Sequence, residues 1–204
     1  EEVRSSVAYR QGRTLATVGR IAESCTLLED VLLDSESRSD RRLQTEVLIA
    51  LAAAYRRTGD GAASQSAAID ALKHAQDDRQ LDLEGRVLSE LGTLFIRKGK
   101  YDEARQHLTL AADRLRATNW ARQLGMTLLN LGQLCGEQGA HTEARNHYLA
   151  ALAIQEQVGA QRNQAAVHGA LALLETAEGR HGPARHHYEL ALQIQKELGN
   201  RRSE

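Results

Sequence analysis

Between residues 120 and 157 the apolar positions fall on two helical stripes. Leu124, Leu128, Leu131 and Cys135 are spaced i, i+4, i+7 and i+11, which is one face of an α-helix, and Gly139 follows them. Ala144, Tyr148, Ala151 and Leu152 mark a second stripe, closed by Gly159 at a C-terminal position where glycine accepts a positive φ. The pattern predicts a pair of helices joined by a tight turn.

That pair recurs. Gly19, Gly59, Gly99, Gly139 and Gly179 are each 40 residues apart, and a fixed period of this size means stacked repeats rather than a single-core globule. Leu51-Ala52, Leu91-Gly92, Leu131-Gly132 and Leu171-Ala172 precede the glycines at one offset. Ala104, Ala144 and Ala184 follow at another, with Leu108, Tyr148 and Tyr188 one turn further on. The small residues allow helices to approach, and the larger ones are expected to fill the gap to the next pair. The repeats are expected over about 1–37, 38–77, 78–117, 118–157 and 158–197. Residues 198–204 read as the start of a further repeat, and the chain as an excerpt of a longer protein. The first repeat fits worst, with Gln11 at a leucine position and Ser24 at an alanine position.

Composition narrows the fold to all-α. Of 204 residues one is proline and 3% are aromatic, which leaves little from which to build a sheet. The formal net charge is −1, so no global field draws in nucleic acid or anionic lipid. No run is long enough for a membrane span and no signal peptide opens the chain, so a soluble, cytoplasmic protein is expected. Cys25 and Cys135 lie 110 positions apart, in different repeats. They are expected to be separate buried thiols.

Leu131-Gly132-x-x-Cys135, Gly139, Ala144-x-x-x-Tyr148 and Ala151-Leu152 together resemble the tetratricopeptide repeat in its long-period form. Arrays of that kind occur in kinesin light chains, spindle-orientation adaptors and the sensor regions of bacterial signalling proteins. Here Leu48, Leu88 and Leu128 replace the opening aromatic of the motif, and Tyr55, Phe95 and Cys135 stand at its tyrosine. The resemblance implies a right-handed superhelical solenoid of about five antiparallel helix pairs. Its first helices would line a concave groove for a partner segment. The turn glycines Gly59, Gly99, Gly139 and Gly179 and the alanines Ala104, Ala144 and Ala184 would be its structural residues.

Transferring the family's groove-facing offsets selects Tyr9, Arg13, Glu46, Ile49, Arg56, Arg57, Arg86, Ser89, Thr93, Ile96, Arg97, Met126, Leu129, Asn130, Gln133 and Glu137. Five are arginines, whose guanidinium groups suit carboxylates, and Ile49, Ile96, Met126 and Leu129 add apolar contact. Asn130 matches an asparagine that such arrays use to bond a ligand backbone. A partner that is protein or peptide, acidic and partly apolar is therefore expected, bound at equilibrium without a cofactor. The alternative is a regulatory region sensing a ligand or peptide within a larger signalling or transcription-regulating protein. Weak self-association through open ends is a third expectation.

Catalytic signatures are missing: there is no nucleophile elbow, P-loop, Rossmann glycine string or zinc-spaced cysteine pair. His141, His147, His181, His186 and His187 are the best metal candidates. His107, His147 and His187 share one offset, a row separated by whole repeats, and are expected to be solvated rather than ligating. Trp120, at the start of a first helix, is expected to be a half-buried staple. Arg162, Arg201 and Arg202 suggest a basic rim. The basic positions lack interleaved aromatics, which disfavours nucleic acid.

Overall fold

The computed structural model describes residues 2–37 and 39–200, all in helices and short turns. The ten helices are α1 (Glu2–Thr17), α2 (Ile21–Ser37), α3 (Arg41–Thr58), α4 (Gly61–Asp77), α5 (Leu81–Arg97), α6 (Tyr101–Ala117), α7 (Ala121–Glu137), α8 (His141–Gln157), α9 (Gln161–Ala177) and α10 (His181–Asn200). Two or three residues join each to the next, and within α1–α5 and within α6–α10 consecutive helices fold back as hairpins.

The turns explain the 40-residue period. Gly139 has φ 74°, in the left-handed region, with its N–H donating to the carbonyl of Gly136 and that of Ala140 to the carbonyl of Cys135. This closes α7 by satisfying carbonyls the helix cannot use. Three of the alternate turns reach the same backbone shape without glycine, Ser39, Arg79 and Asn119 having φ of 58°, 51° and 57°, while the turn after α8 uses Gly159 at 62°. Asp40 and Asp60 cap α3 and α4 by accepting from the N–H groups of Leu43 and Ala63.

The chain divides into two compact units, one ending at Lys100 and the other beginning at Tyr101. In the first, Leu28, Val47, Leu83 and Val87 are completely buried among a layer of alanines that includes Ala71 and Ala75. Ser24 and Ser64 hold the small-residue position here. Each is buried with its hydroxyl donating to the carbonyl twelve residues earlier, Gly12 and Ala52 respectively. A serine is thus accommodated where later repeats carry alanine, because its one polar group is satisfied.

The second unit buries Leu108, Leu115, Leu134, Val167 and Leu171. Gly132 of α7 is a point of close approach. A Cβ there would stand 2.4 Å from a ring carbon of Tyr148 and 3.1 Å from the carbonyl of Ala144, so only glycine lets α7 and α8 pack this closely. Gln155 is fully buried, and its amide donates to the carbonyl of Arg122 while accepting from Asn163. Gln164 donates to the Gln155 carbonyl, as Gln44 donates to that of Ser35 in the first unit. The same device, three periods apart, ties the end of a second helix to the helix that follows it.

Three expectations are corrected. Tyr188 was expected to fill a gap as Leu108 and Tyr148 do, but it is 45% exposed, because among the described residues no later helix covers that face of α10. His147 is half-buried rather than solvated. His187 also lies inward, against His168, which is 8% exposed. Gly199 lies within α10, which runs to Asn200. Cys25 and Cys135 are both buried free thiols. Arg201 and Arg202 lie outside the described residues, and Arg162 is exposed near the start of α9. No helix of the described chain is long and apolar enough to cross a membrane.

Candidate functional site

A cleft of about 800 Å³ opens in the second unit between α7 and α9. Its origin is a stripe of small side chains. Ala166, Gly169, Ala170 and Ala177 face α7 at helical spacing, with only Leu173 and Leu174 bulky among them, so the helices leave a trough. Leu129, Asn130, Gln133 and Glu137 form the opposite wall, and Tyr148 and Tyr188 contribute from the second helices. The floor is apolar and the polar groups sit on the α7 side. Such a surface can bury apolar side chains of a partner while amide groups bond its backbone. Leu173, 65% exposed, is the most prominent apolar group on the rim.

Leu129, Asn130 and Gln133 therefore come together as the offsets imply, while Met126 lies a turn earlier and is half-buried. The α9 wall obeys the same offsets counted from Gly179, extended to the fifth repeat. That was the available signal for it.

The first unit uses its arginines differently. Arg56 pairs with Glu90 at 3.1 Å. Arg57 donates to the carbonyl of Ala16, and Arg97 donates to that of Arg56 at 2.9 Å. Both reach back 41 residues. The guanidinium thereby bonds a carbonyl in the last turn of the preceding first helix, where the helix dipole favours a cation. Arg57 and Arg97 remain exposed and keep further donors free for carboxylates, as does Arg13, whose guanidinium lies over the ring of the buried Tyr9. Arg86, Ile49 and Ile96 are buried and offer little surface to a partner. Ser89 and Thr93 are half-buried, with the Thr93 hydroxyl donating to the Ser89 carbonyl.

Two further clusters occupy the second unit. Glu175 is 6% exposed and lies between Arg145 and Arg180, which both also reach Glu178. On α9 and α10, His168 and His187 stack with their Nδ1 atoms 3.2 Å apart. Burial pushes both imidazoles below their ordinary range. His187 adds repulsion on His168, opposed by Glu156 and reinforced less by His186, and His186 adds repulsion on His187, opposed by Glu175. Both are thus held neutral in the fold, whereas the unfolded chain takes up protons near pH 6.5. Stability from this pair is complete above about pH 6.5 and lost as pH falls through the lower folded values. In urea titrations between about pH 7 and 5, His187→Asn is expected to flatten the decline. An unchanged slope would remove the pair from the acid response.

Comparison with known proteins places this architecture. Residues 123–197 match the model of the tetratricopeptide repeat family. That match lies within the second unit and spans less than half of the chain. No curated protein matches in sequence. Among solved structures, BtubC (BKLC) from P. vanneervenii superposes with a TM-score of 0.68 at 18% identity, covering 97% of this chain and 90% of that one. Pseudomonas aeruginosa pilF gives 0.66 at 21%, covering 95% and 77%. A Rap protein complexed with Competence and Sporulation Factor gives 0.86 at 18%, covering 93% of this chain and 53% of the other, so the present repeats span about half its length. At these identities the likeness shows the fold. It is an array of helical hairpins.

Proposed function

We propose that this tetratricopeptide array binds an extended segment or helix of a protein partner, seating apolar side chains in the α7–α9 cleft. The observation that carries the reading is the trough made by Ala166, Gly169 and Ala170 opposite Leu129, Asn130 and Gln133. It combines buriable apolar area with amide groups suited to a peptide backbone. In the first unit, Arg13, Arg57 and Arg97 are the exposed cations of the groove face and give it a preference for acidic partners. Their contribution is modest, since solvent screens each charge. Binding is by preformed shape and needs neither catalysis nor a cofactor.

The Rap neighbour, solved with Competence and Sporulation Factor bound, supports a second reading in which the array is the sensing region of a larger regulator.

Selection of displayed peptides on the intact chain, followed by affinity measurement, tests the first reading. Leu173→Asp should weaken the selected peptides by about tenfold or more, since it puts a charge where an apolar group must bury. Arg13→Glu with Arg57→Glu should weaken acidic peptides by about tenfold, while Lys73→Glu, on α4, leaves them unchanged. Peptides indifferent to Leu173→Asp would place binding elsewhere. Equal losses from Lys73→Glu would reduce the arginine effect to general charge.

A further inference from the structure

We propose that Cys135, Glu143 and His147 form a zinc-type metal site, whose position the Arg105 guanidinium occupies. One ligand atom from each residue lies within 4.8 Å of the others, and Nε2 of His147 is 3.9 Å from Oε1 of Glu143. Glu143 and His147 stand one turn apart on α8, facing Cys135 on the last turn of α7. Metal–ligand bonds of about 2.0–2.3 Å place tetrahedral donors roughly 3.3–3.6 Å apart. The buried thiol is fixed. Glu143 is exposed and His147 half-buried, so side-chain rotation about α8 suffices to close the set. Sulfur, imidazole and carboxylate together suit zinc rather than magnesium or calcium, and three protein ligands leave a fourth position open. On binding, the Cys135 thiol releases its proton to solvent, and thiolate and carboxylate balance the divalent charge.

The repeat supplies an internal comparison for the arginine. Arg105 contacts Glu143 at 3.0 Å, the Gln138 carbonyl oxygen at 2.6 Å and the Cys135 sulfur at 3.9 Å. One period later Arg145 bridges its helices in the same way, but against the two carboxylates of Glu175 and Glu178. There the cation is locked by full charges. At Arg105 a thiol and an amide stand in their places, so a single carboxylate holds a side chain that is already 39% exposed. A divalent cation can displace it. The ligand trio is also confined to this repeat: its equivalents are Phe95, Glu103 and His107 one period earlier, and Glu175, Pro183 and His187 one period later.

The test is titration of the intact chain with cobalt(II), under a thiol-free reductant, followed by competition with zinc. The expected result is a near-ultraviolet sulfur-to-cobalt charge-transfer band that saturates at one equivalent and is erased by zinc. Cys135→Ser should abolish the band, and His147→Ala should weaken binding about tenfold or more. Arg105→Ala should strengthen it about tenfold, because a like charge leaves the site. Helical circular dichroism checks the fold of each variant, and Arg105→Ala carries the test on the surface should Cys135→Ser unfold. No band with excess cobalt in the folded chain overturns the site. A band that survives Cys135→Ser assigns it to Cys25 and does the same, and unchanged affinity in Arg105→Ala removes the guanidinium from the account.

Discussion

Ala144→Trp is expected to lower the urea midpoint of the array sharply, while Asn146→Trp, two residues along the same helix, leaves it nearly unchanged. Ala144 is completely buried where α8 meets α7, and its carbonyl would lie 3.1 Å from a Cβ on Gly132. The Tyr148 ring fills the space one turn further on, close enough to exclude even a methyl group at Gly132. An indole has nowhere to go without parting the two helices. Adding a few methylenes to a packed core costs about 1–3 kcal/mol, and a full tryptophan belongs at or above the upper end of that range. Asn146 is exposed and has no such neighbour constraint. Equal midpoints for the two variants would mean that α7 and α8 do not pack through this position.

Removing the carboxylate of Glu175 is expected to be the most costly single loss of charge in the second unit. Glu175 is the buried member of a four-residue network, with Arg145 at 3.1 Å and Arg180 in contact, so its deletion leaves two guanidinium groups sharing the single carboxylate of Glu178. Breaking a fully buried pair costs about 3–5 kcal/mol. The Arg145 and Arg180 side chains are 25% and 41% exposed, and water compensates part of that loss, so about 1–3 kcal/mol is expected for Glu175→Ala. Glu175→Gln, which keeps an acceptor, should cost less. Denaturation in low and high salt measures both, and each loss should shrink as salt screens the arginine repulsion. A loss within experimental error would reduce the network to solvated surface charge.

The helices were legible because their apolar spacing and their turns speak with one voice. Gly139 marks a left-handed residue that few other side chains accept, so the end of α7 could be read directly. Gly159 marks the end of α8 likewise, but the other alternate turns could not be read so, since Ser39, Arg79 and Asn119 adopt the same conformation at a local cost that packing of the flanking helices absorbs. One wall of the cleft followed from the repeat offsets of Leu129, Asn130 and Gln133. The other is built from alanine and glycine, whose significance is the space they leave, and space depends on what stands opposite. The arginines show the converse limit. Offsets selected Arg57 and Arg97, but their bonds to carbonyls 41 residues back depend on how far the preceding helix ends from them. His168 escaped notice because its partner, His187, arrives from another helix.

Within each unit, packed helices are one or two apart in the chain. That arrangement has a mechanical consequence. Tension applied across a unit passes through its helix-to-helix layers in series, so each carries the whole load and the weakest parts first. The Gln155 bonds to Arg122, Asn163 and Gln164 clamp the second unit at one such layer. A unit built this way yields as a spring of stacked leaves, opening hairpin by hairpin, where a globular core of interleaved long-range contacts would resist and then fail at once.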